Sequence, residues 1–342
     1  VNGSYHKHNH IETMSIMKKK AAISFTGGKD SSLALHLFKQ PPKFHDNPGL
    51  QLKFQKYDNI EPVLLVTFVP SGALGTFKAH SLALMEKQAE CLGLTYKLVE
   101  VSAPFLETYK KRIVELKDEG IDYLVTGDMQ DVCDGFMRRA AQGTGVELLC
   151  PLWQIPVEDF MTVLWSYDMK VIVTCVNSKK FLSNESQAPN ACCCCGSSGG
   201  TCTLDNNSSN MCESKCTEEA SKSLDFILGR TLDKELASFM KEKFPHVDPL
   251  GEYGEYHTMM IDSSLMKQRL RIESEPAIDG DYHYLSISKI EVIPKQEYND
   301  YSSGDVLKLK DKREKRGESK VLAAIFPLTL LLVPIGFSYF FA

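Results

Sequence analysis

One short segment near the start of the chain constrains the fold most, because a strand, a glycine turn and a helix follow one another directly. Residues 21–25 are mostly apolar and predict a buried strand, and the Leu- and Ala-rich residues 33–38 predict a helix. The turn between them reads Thr26-Gly27-Gly28-Lys29-Asp30-Ser31. Glycines let backbone N–H groups approach an anion, and a helix N-terminus favours negative charge. The segment therefore predicts a phosphate-binding loop.

This loop differs from a Walker A motif, which needs a glycine five residues before its Gly-Lys pair and a Ser or Thr directly after the lysine. Ile23 stands at the first of these positions and Asp30 at the second. A tight strand-to-helix turn with a solvated lysine is the alternative that the residues leave open. The glycine-rich context between a strand and a helix favours the phosphate loop.

Apolar runs alternate with helical segments over residues 18–182. Six such runs, the last at residues 171–176, predict a doubly wound parallel sheet with helices on both faces, which is an α/β nucleotide-binding domain. Ligands of such sheets bind beyond the carboxyl ends of the strands. Gly127 and Asp128 directly follow the fourth run, so we expect them to face the same crevice as the loop.

A smaller C-terminal part, of α+β class, is predicted over residues 224–300. A helix is expected at residues 231–243, and strands are expected at residues 256–261, 268–273 and 282–293. Before its first strand, a glycine-rich turn holds two carboxylates and a histidine: Glu252, Glu255 and His257. These side chains predict acid–base groups or metal ligands. The alternative is a turn that only leads into the strand.

Two other segments have biased composition. Residues 1–17 are polar and His-rich, and predict a disordered extension. Residues 183–223 are rich in Ser, Asn and Gly and carry seven of the 11 cysteines, which predicts a low-complexity insertion. A zinc or iron–sulfur site is the alternative, but the paired cysteine spacing of zinc modules is missing.

The end of the chain predicts a membrane anchor. Residues 301–320 form a basic linker, and residues 321–342 hold no charged side chain. As a helix, this last segment would span about 33 Å, which is enough for a hydrocarbon core. Pro327 and Pro334 interrupt it, although membrane spans tolerate proline. We expect a tail anchor that holds a cytoplasmic enzyme domain to a membrane.

Three separated segments together resemble one enzyme family. The loop resembles the pyrophosphatase loop Ser-Gly-Gly-x-Asp-Ser of the ATP pyrophosphatase superfamily, with Thr26 in place of its first Ser. Gly127-Asp128 with Pro151-Leu152-Trp153, and then residues 248–258, follow in the order found in the diphthine–ammonia ligase family. The last segment is similar to that family's Asp-Pro-x-Gly-Glu-x-Gly-Glu-Phe-His-Thr signature. The resemblance covers roughly residues 20–295, apart from the insertion.

The resemblance implies an adenine nucleotide alpha-hydrolase-like fold and an ATP-dependent ligase. Such an enzyme uses ammonium to convert diphthine on translation elongation factor 2 to diphthamide, and releases AMP and pyrophosphate. The implied ATP-binding residues are Ser24, Thr26, Gly27, Gly28, Lys29, Asp30, Ser31, Gly127 and Asp128. The implied catalytic residues are Lys29, Asp30, Glu252, Glu255 and His257. Mg²⁺ is implied at Asp30 and Asp128.

Several alternatives stay open at this point. Many relatives carry Glu and Cys in the helix that corresponds to residues 136–142, where this chain lacks them, so another carboxylate is an alternative acceptor. A tRNA-modifying enzyme of the same superfamily would favour a basic surface, yet the net charge is −5, and we expect no direct nucleic-acid binding. A non-catalytic adenine-nucleotide-binding protein would bind ATP without releasing pyrophosphate. His80 is a weaker site candidate, because a histidine on a helix surface is the simpler interpretation.

Overall fold

The N-terminal half of the chain forms a five-stranded parallel sheet. The computed structural model describes residues 18–41, 49, 54, 56–72, 80–131, 133–182, 224, 226–295 and 307–309. The strands are β1 (Lys19–Ser24), β2 (Ile60–Pro70), β3 (Thr95–Val101), β4 (Tyr123–Val125) and β5 (Glu147–Leu149). Their order is β3-β2-β1-β4-β5, and every neighbouring pair is parallel. The topological switch point therefore lies between β1 and β4, the strands that precede the loop and Gly127.

Helices cover both faces of this sheet, as the sequence predicts. They are α1 (Lys29–Lys39), α2 (Leu82–Leu92), α3 (Phe105–Asp118), α4 (Phe136–Ala141) and α5 (Val157–Ser166). Successive residues of β1 point to opposite faces, so Ala21 and Ile23 pack in one buried cluster and Ala22 in another. Leu33 of α1 joins the first cluster and Ile113 of α3 the second. The doubly wound arrangement is confirmed.

The prediction of a sixth strand in the parallel sheet is wrong. Strand β6 (Lys170–Asn177) belongs to a second sheet, with β7 (Tyr256–Asp262), β8 (Gln268–Asp279), β9 (Tyr282–Pro294) and β10 (Leu307–Leu309). It lies between β9 and β7 and is antiparallel to both. Residues 171–177 are all buried, and a continuous apolar run does not distinguish a parallel strand from a central antiparallel one.

The other predicted C-terminal elements are present with small shifts. Strands β7, β8 and β9 occupy the predicted extended segments, and the helix there is α7 (Lys234–Lys243), after the short α6 (Ser178–Leu182). Three residues of the predicted basic linker form β10, which pairs in parallel with β8. The predicted disordered extension, insertion and tail anchor (1–17, 183–223 and 321–342) lie outside the described residues. Within the described ranges, no helix is long and apolar enough to cross a membrane.

His36 makes the fold sensitive to acid. Its ring is buried in α1, Nδ1 bonds the Ser32 carbonyl at 2.7 Å, and the ring packs on Tyr167 at a centroid distance of 5.1 Å. Burial lowers the pKa of His36 from 6.5 to about 4. At pH values between these two pKa values, His36 is protonated in the unfolded chain and uncharged in the folded chain. The free energy of unfolding therefore falls as the pH drops through this window.

We expect His36→Gln to remove this contribution. In the wild type the histidine adds a slope of up to about 1.4 kcal/mol per pH unit between pH 6.5 and 4. Urea unfolding over a pH series should give a shallower slope in the variant, whatever its absolute stability. An identical slope in both proteins would contradict the buried, uncharged state of His36.

Candidate functional site

The glycine loop is held by elements from both sheets. Gly27 has φ +72°, and a Cβ there would lie 2.3 Å from Gln88 Oε1, so only glycine fits. Gln88 Nε2, on α2, donates to the carbonyls of Gly27 (3.0 Å) and Met260 (2.6 Å). The backbone N–H of Met260, on β7, donates to Gly27 O at 2.8 Å. The loop is therefore clamped between α2 and the second sheet.

Strand β7 also fixes the point where α1 begins. The backbone N–H of Lys29 donates to Thr258 Oγ1 at 3.0 Å, and a Cβ on Gly28 would lie 2.9 Å from the Thr258 carbonyl oxygen. Within the loop, Ser31 Oγ accepts from the backbone N–H of Thr26 at 3.2 Å. The C-terminal part of the chain thus completes the loop and sets its shape.

The segment Gly127-Asp128 packs directly against the loop. A Cβ on Gly127 would lie 2.7 Å from the Asp30 carbonyl carbon and 2.8 Å from the Ser31 nitrogen. Thr126 Oγ1 donates to Asp128 Oδ2 at 2.8 Å. Burial raises the pKa of Asp128, and the negative charge of Asp30 raises it further. The two strand ends therefore meet at one place, as the sequence predicts.

One ammonium and two carboxylates form the charged centre. Lys29 Nζ lies 2.7 Å from Asp30 Oδ1 and 3.5 Å from Glu252 Oε1, with the lysine side chain only 5% exposed. Burial opposes the charge of Lys29, but Asp30 and Glu252 outweigh it and raise the lysine pKa. Burial and the neighbouring Asp30 raise the pKa of Glu252 to about 8, against the attraction of Lys29. A carboxyl group with that pKa can exchange protons near neutral pH.

Glu255 points elsewhere. Its Oε2 accepts the backbone N–H of Tyr253 at 3.0 Å, and its own carbonyl accepts from the backbone N–H of Asn177 on β6. The residue is 7% exposed. Its carboxylate therefore holds the glycine-rich turn in place, while Glu252, three residues earlier, reaches Lys29.

Two histidines from distant parts of the chain contact each other at the loop. The His80 and His257 rings meet edge to face at a centroid distance of 5.1 Å. Burial lowers the pKa of His80 to about 4 and that of His257 to about 3, so both are uncharged at neutral pH. His80 precedes α2, which begins at Leu82, and its Nδ1 is buried. The interpretation of His80 as a helix-surface residue is wrong.

These groups surround one cavity of about 150 Å³. The predicted site residues that line it are Ser24, Thr26, Gly28, Lys29, Asp30, Ser31, Gly127, Asp128, Glu252 and His257. Gly27 and Glu255 are absent from the described lining. They instead hold in place the loop and the turn that form the cavity walls. The lining also includes His80, the weaker candidate, and residues that the sequence does not single out: Thr126, Met137, Tyr256 and Thr258. Thr258 ends the recognisable signature, which is the one signal that pointed toward it.

The charges of the cavity fit a magnesium-bound anion. Lys29 is the only Lys or Arg among the described lining residues, whereas three carboxyl groups, those of Asp30, Asp128 and Glu252, line the same cavity. A polyphosphate entering this site needs further positive charge. Mg²⁺ is usually held by one or two carboxylates together with substrate phosphates, and Asp30 and Asp128 supply such oxygens. Among the described residues, no group of three or more His, Cys, Asp or Glu side chains is placed to hold a metal ion by itself.

Comparison with known proteins identifies the C-terminal part. Residues 206–293 match the family model described as the diphthamide synthase C-terminal domain. No curated protein matches the chain. Among solved structures, a predicted subunit of tRNA methyltransferase from Methanocaldococcus jannaschii matches at 17% identity and a TM-score of 0.29, covering 44% of this chain and 75% of that one. The matched segment carries Glu252 and His257, which line the same cavity as the glycine loop, and over residues 206–293 the chain is similar to the diphthamide synthase C-terminal domain.

Proposed function

We propose that this protein is an ATP-dependent amide ligase that converts diphthine on translation elongation factor 2 to diphthamide. One observation carries the proposal: three segments far apart in sequence line a single cavity. They are the glycine loop, Gly127-Asp128 and the segment from Glu252, in the glycine-rich turn, to His257 on β7. The first two segments are suited to bind a nucleoside triphosphate, and the third brings proton-transfer groups into the same cavity.

The first step would activate a carboxylate. A carboxylate oxygen attacks the α-phosphorus of ATP, the bond to the β-phosphate breaks, and pyrophosphate leaves. Lys29 and the first residues of α1 line the cavity, where they would stabilise the charge that builds on the phosphates, as preorganised donors do. Mg²⁺, held by Asp30 and Asp128, would neutralise phosphate charge when bound.

The second step would form the amide. The lone pair of ammonia attacks the acyl carbon, the carbon–oxygen bond to AMP breaks, and AMP leaves as the nitrogen gives up a proton. Glu252 is the nearest carboxyl group to Lys29 in the glycine-rich turn, and its pKa of about 8 suits it to take that proton. The side chain of Glu255 accepts a backbone bond instead and takes no part.

The match over residues 206–293 supports diphthine as the acceptor. The proposal is tested by incubating the full chain with ATP, isotopically labelled ammonium and elongation factor 2 that carries diphthine. We expect labelled nitrogen on the modified histidine, detected by mass spectrometry of that peptide. Pyrophosphate release without labelling would assign the enzyme to another carboxylate. ATP binding without any pyrophosphate release would favour a nucleotide-binding protein.

Replacing Glu255 should affect both steps equally. Glu255→Ala leaves the backbone N–H of Tyr253 without its acceptor, which costs about 1–3 kcal/mol of stability. Pyrophosphate release and amide formation should fall by the same factor. Glu255→Gln keeps an acceptor oxygen and should retain both activities. A selective loss of amide formation in either variant would instead show that Glu255 acts on ammonia in the second step.

A further inference from the structure

We propose that His80 and His257 together form the ammonia-binding site of the enzyme, with His80 as a binding residue that the sequence motifs do not contain. This inference rests on the proposed ligase function. It identifies the protein atoms that bind ammonia before it attacks the activated carboxylate. The two rings are in contact, and both line the cavity that holds Lys29.

The hydrogen bonds of His80 fix the role of its free nitrogen. The ring bonds the backbone of Thr26, whereas Nδ1 is buried and has no partner among the described residues. Nε2 therefore makes the Thr26 bond and donates its proton to the carbonyl oxygen. An uncharged imidazole carries one N–H, so Nδ1 holds a lone pair. This is an acceptor at the cavity wall that requires a donor from a ligand.

His257 offers a second nitrogen beside the first. Its Nε2 is also buried and has no partner among the described residues. A buried polar atom without a partner costs free energy, and such atoms concentrate where a ligand completes them. The edge-to-face contact keeps both rings at the same end of the cavity. With its ring proton on Nδ1, His257 presents Nε2 as a second acceptor, and a small molecule with two or more N–H bonds would then satisfy both nitrogens.

Ammonia suits this pair better than the other reactants do. Carboxylates and phosphates are acceptors and have no hydrogen to give to a lone pair. When two N–H bonds of ammonia point at the imidazoles, its own lone pair is directed away from them and stays free to attack. Burial keeps both rings uncharged, so they do not repel an arriving ammonium ion. The amino group of adenine has the same donor chemistry, and the experiment must separate the two.

The kinetic test removes and then restores each acceptor. His80→Leu and His257→Leu should raise the KM for ammonium at least tenfold. Exchange of labelled pyrophosphate into ATP, which needs only the first step, should stay within twofold of wild type. His80→Asn and His257→Gln each keep a polar atom near the lost nitrogen and should recover part of the ammonium KM. His283→Leu, on β9 outside the cavity lining, is the matched control.

Two kinetic results would overturn the inference. Weaker ATP binding in the Leu variants, with an unchanged ammonium KM, would assign the pair to the adenine amino group. Equal loss of both steps without recovery in the Asn and Gln variants would make the pair structural.

A binding measurement keeps this inference separate from the ligase function. Nitrogen NMR of histidine-labelled protein should show saturable shifts of His80 and His257 with ammonium chloride. Potassium chloride, whose cation has no N–H bonds, should leave these signals unchanged. Absence of the ammonium shifts in an active ligase would overturn the histidine pair alone. Shifts in a protein without ligase activity would overturn the proposed reaction and keep the binding site.

Discussion

Lys29→Ala is expected to lower pyrophosphate release at least about 100-fold, the size of effect seen when one preorganised donor is lost from a charge-stabilising site. Lys29 is the one Lys or Arg among the described residues of the cavity wall, and no described neighbour there can replace its charge. Its backbone bond to Thr258 does not depend on the side chain. Pyrophosphate release should be measured at saturating ATP and ammonium.

The Lys29 result needs a control for folding and for general loss of charge. Asp30 and Glu252 lose their counter-ion in Lys29→Ala, so circular dichroism and thermal unfolding must accompany the assay. Lys87→Ala removes a lysine from the exposed side of α2 and should behave like wild type. A folded Lys29→Ala protein with near-normal pyrophosphate release would exclude the loop from the chemistry.

Gly127→Ala is expected to damage the same site through the backbone. The added Cβ would lie under 3 Å from the Asp30 carbonyl carbon and the Ser31 nitrogen, and backbone atoms cannot swing aside as a side chain can. Overpacking of this kind costs about 1–3 kcal/mol of stability. Displacing the loop by about 1 Å costs about 100-fold in rate, because the reacting groups lose their alignment.

Gly120→Ala separates this clash from ordinary backbone strain. Gly120 has φ +86° at the end of α3, and a Cβ there would meet nothing within 4 Å. We expect a loss of about 1 kcal/mol of stability from the strained conformation and full pyrophosphate release. Equal activity in the Gly120→Ala and Gly127→Ala proteins would contradict the tight packing of Gly127 on the loop.

The parallel sheet could be predicted because its signals are local. Each strand is a short apolar run with a turn and a helix after it, and β1 to β5 all fit this pattern. β6 has the same apolar composition but pairs with β7, about 85 residues later in the chain. Pairing partners at such distances leave no mark in the composition of one strand. The sequence therefore predicted the strand and placed it in the wrong sheet.

The site shows the same limit at the level of single side chains. Glu252 and Glu255 lie in one glycine-rich turn and look equivalent in sequence, yet one reaches Lys29 and the other accepts the Tyr253 N–H. Their difference comes from the direction of the chain at each residue. His80 carries no motif and meets His257 only because α2 packs beside β7. Chemistry carried by a motif could be predicted, whereas partners set by packing could not.

The most direct test of the account is the identity of the nucleotide products. The full chain should be incubated with ATP, Mg²⁺, ammonium and elongation factor 2 bearing diphthine, and the nucleotides separated by chromatography. The account predicts AMP and pyrophosphate in equal amounts, with both lowered at least about 100-fold in Lys29→Ala. ADP and orthophosphate as products, or AMP formation that survives in Lys29→Ala, would contradict it.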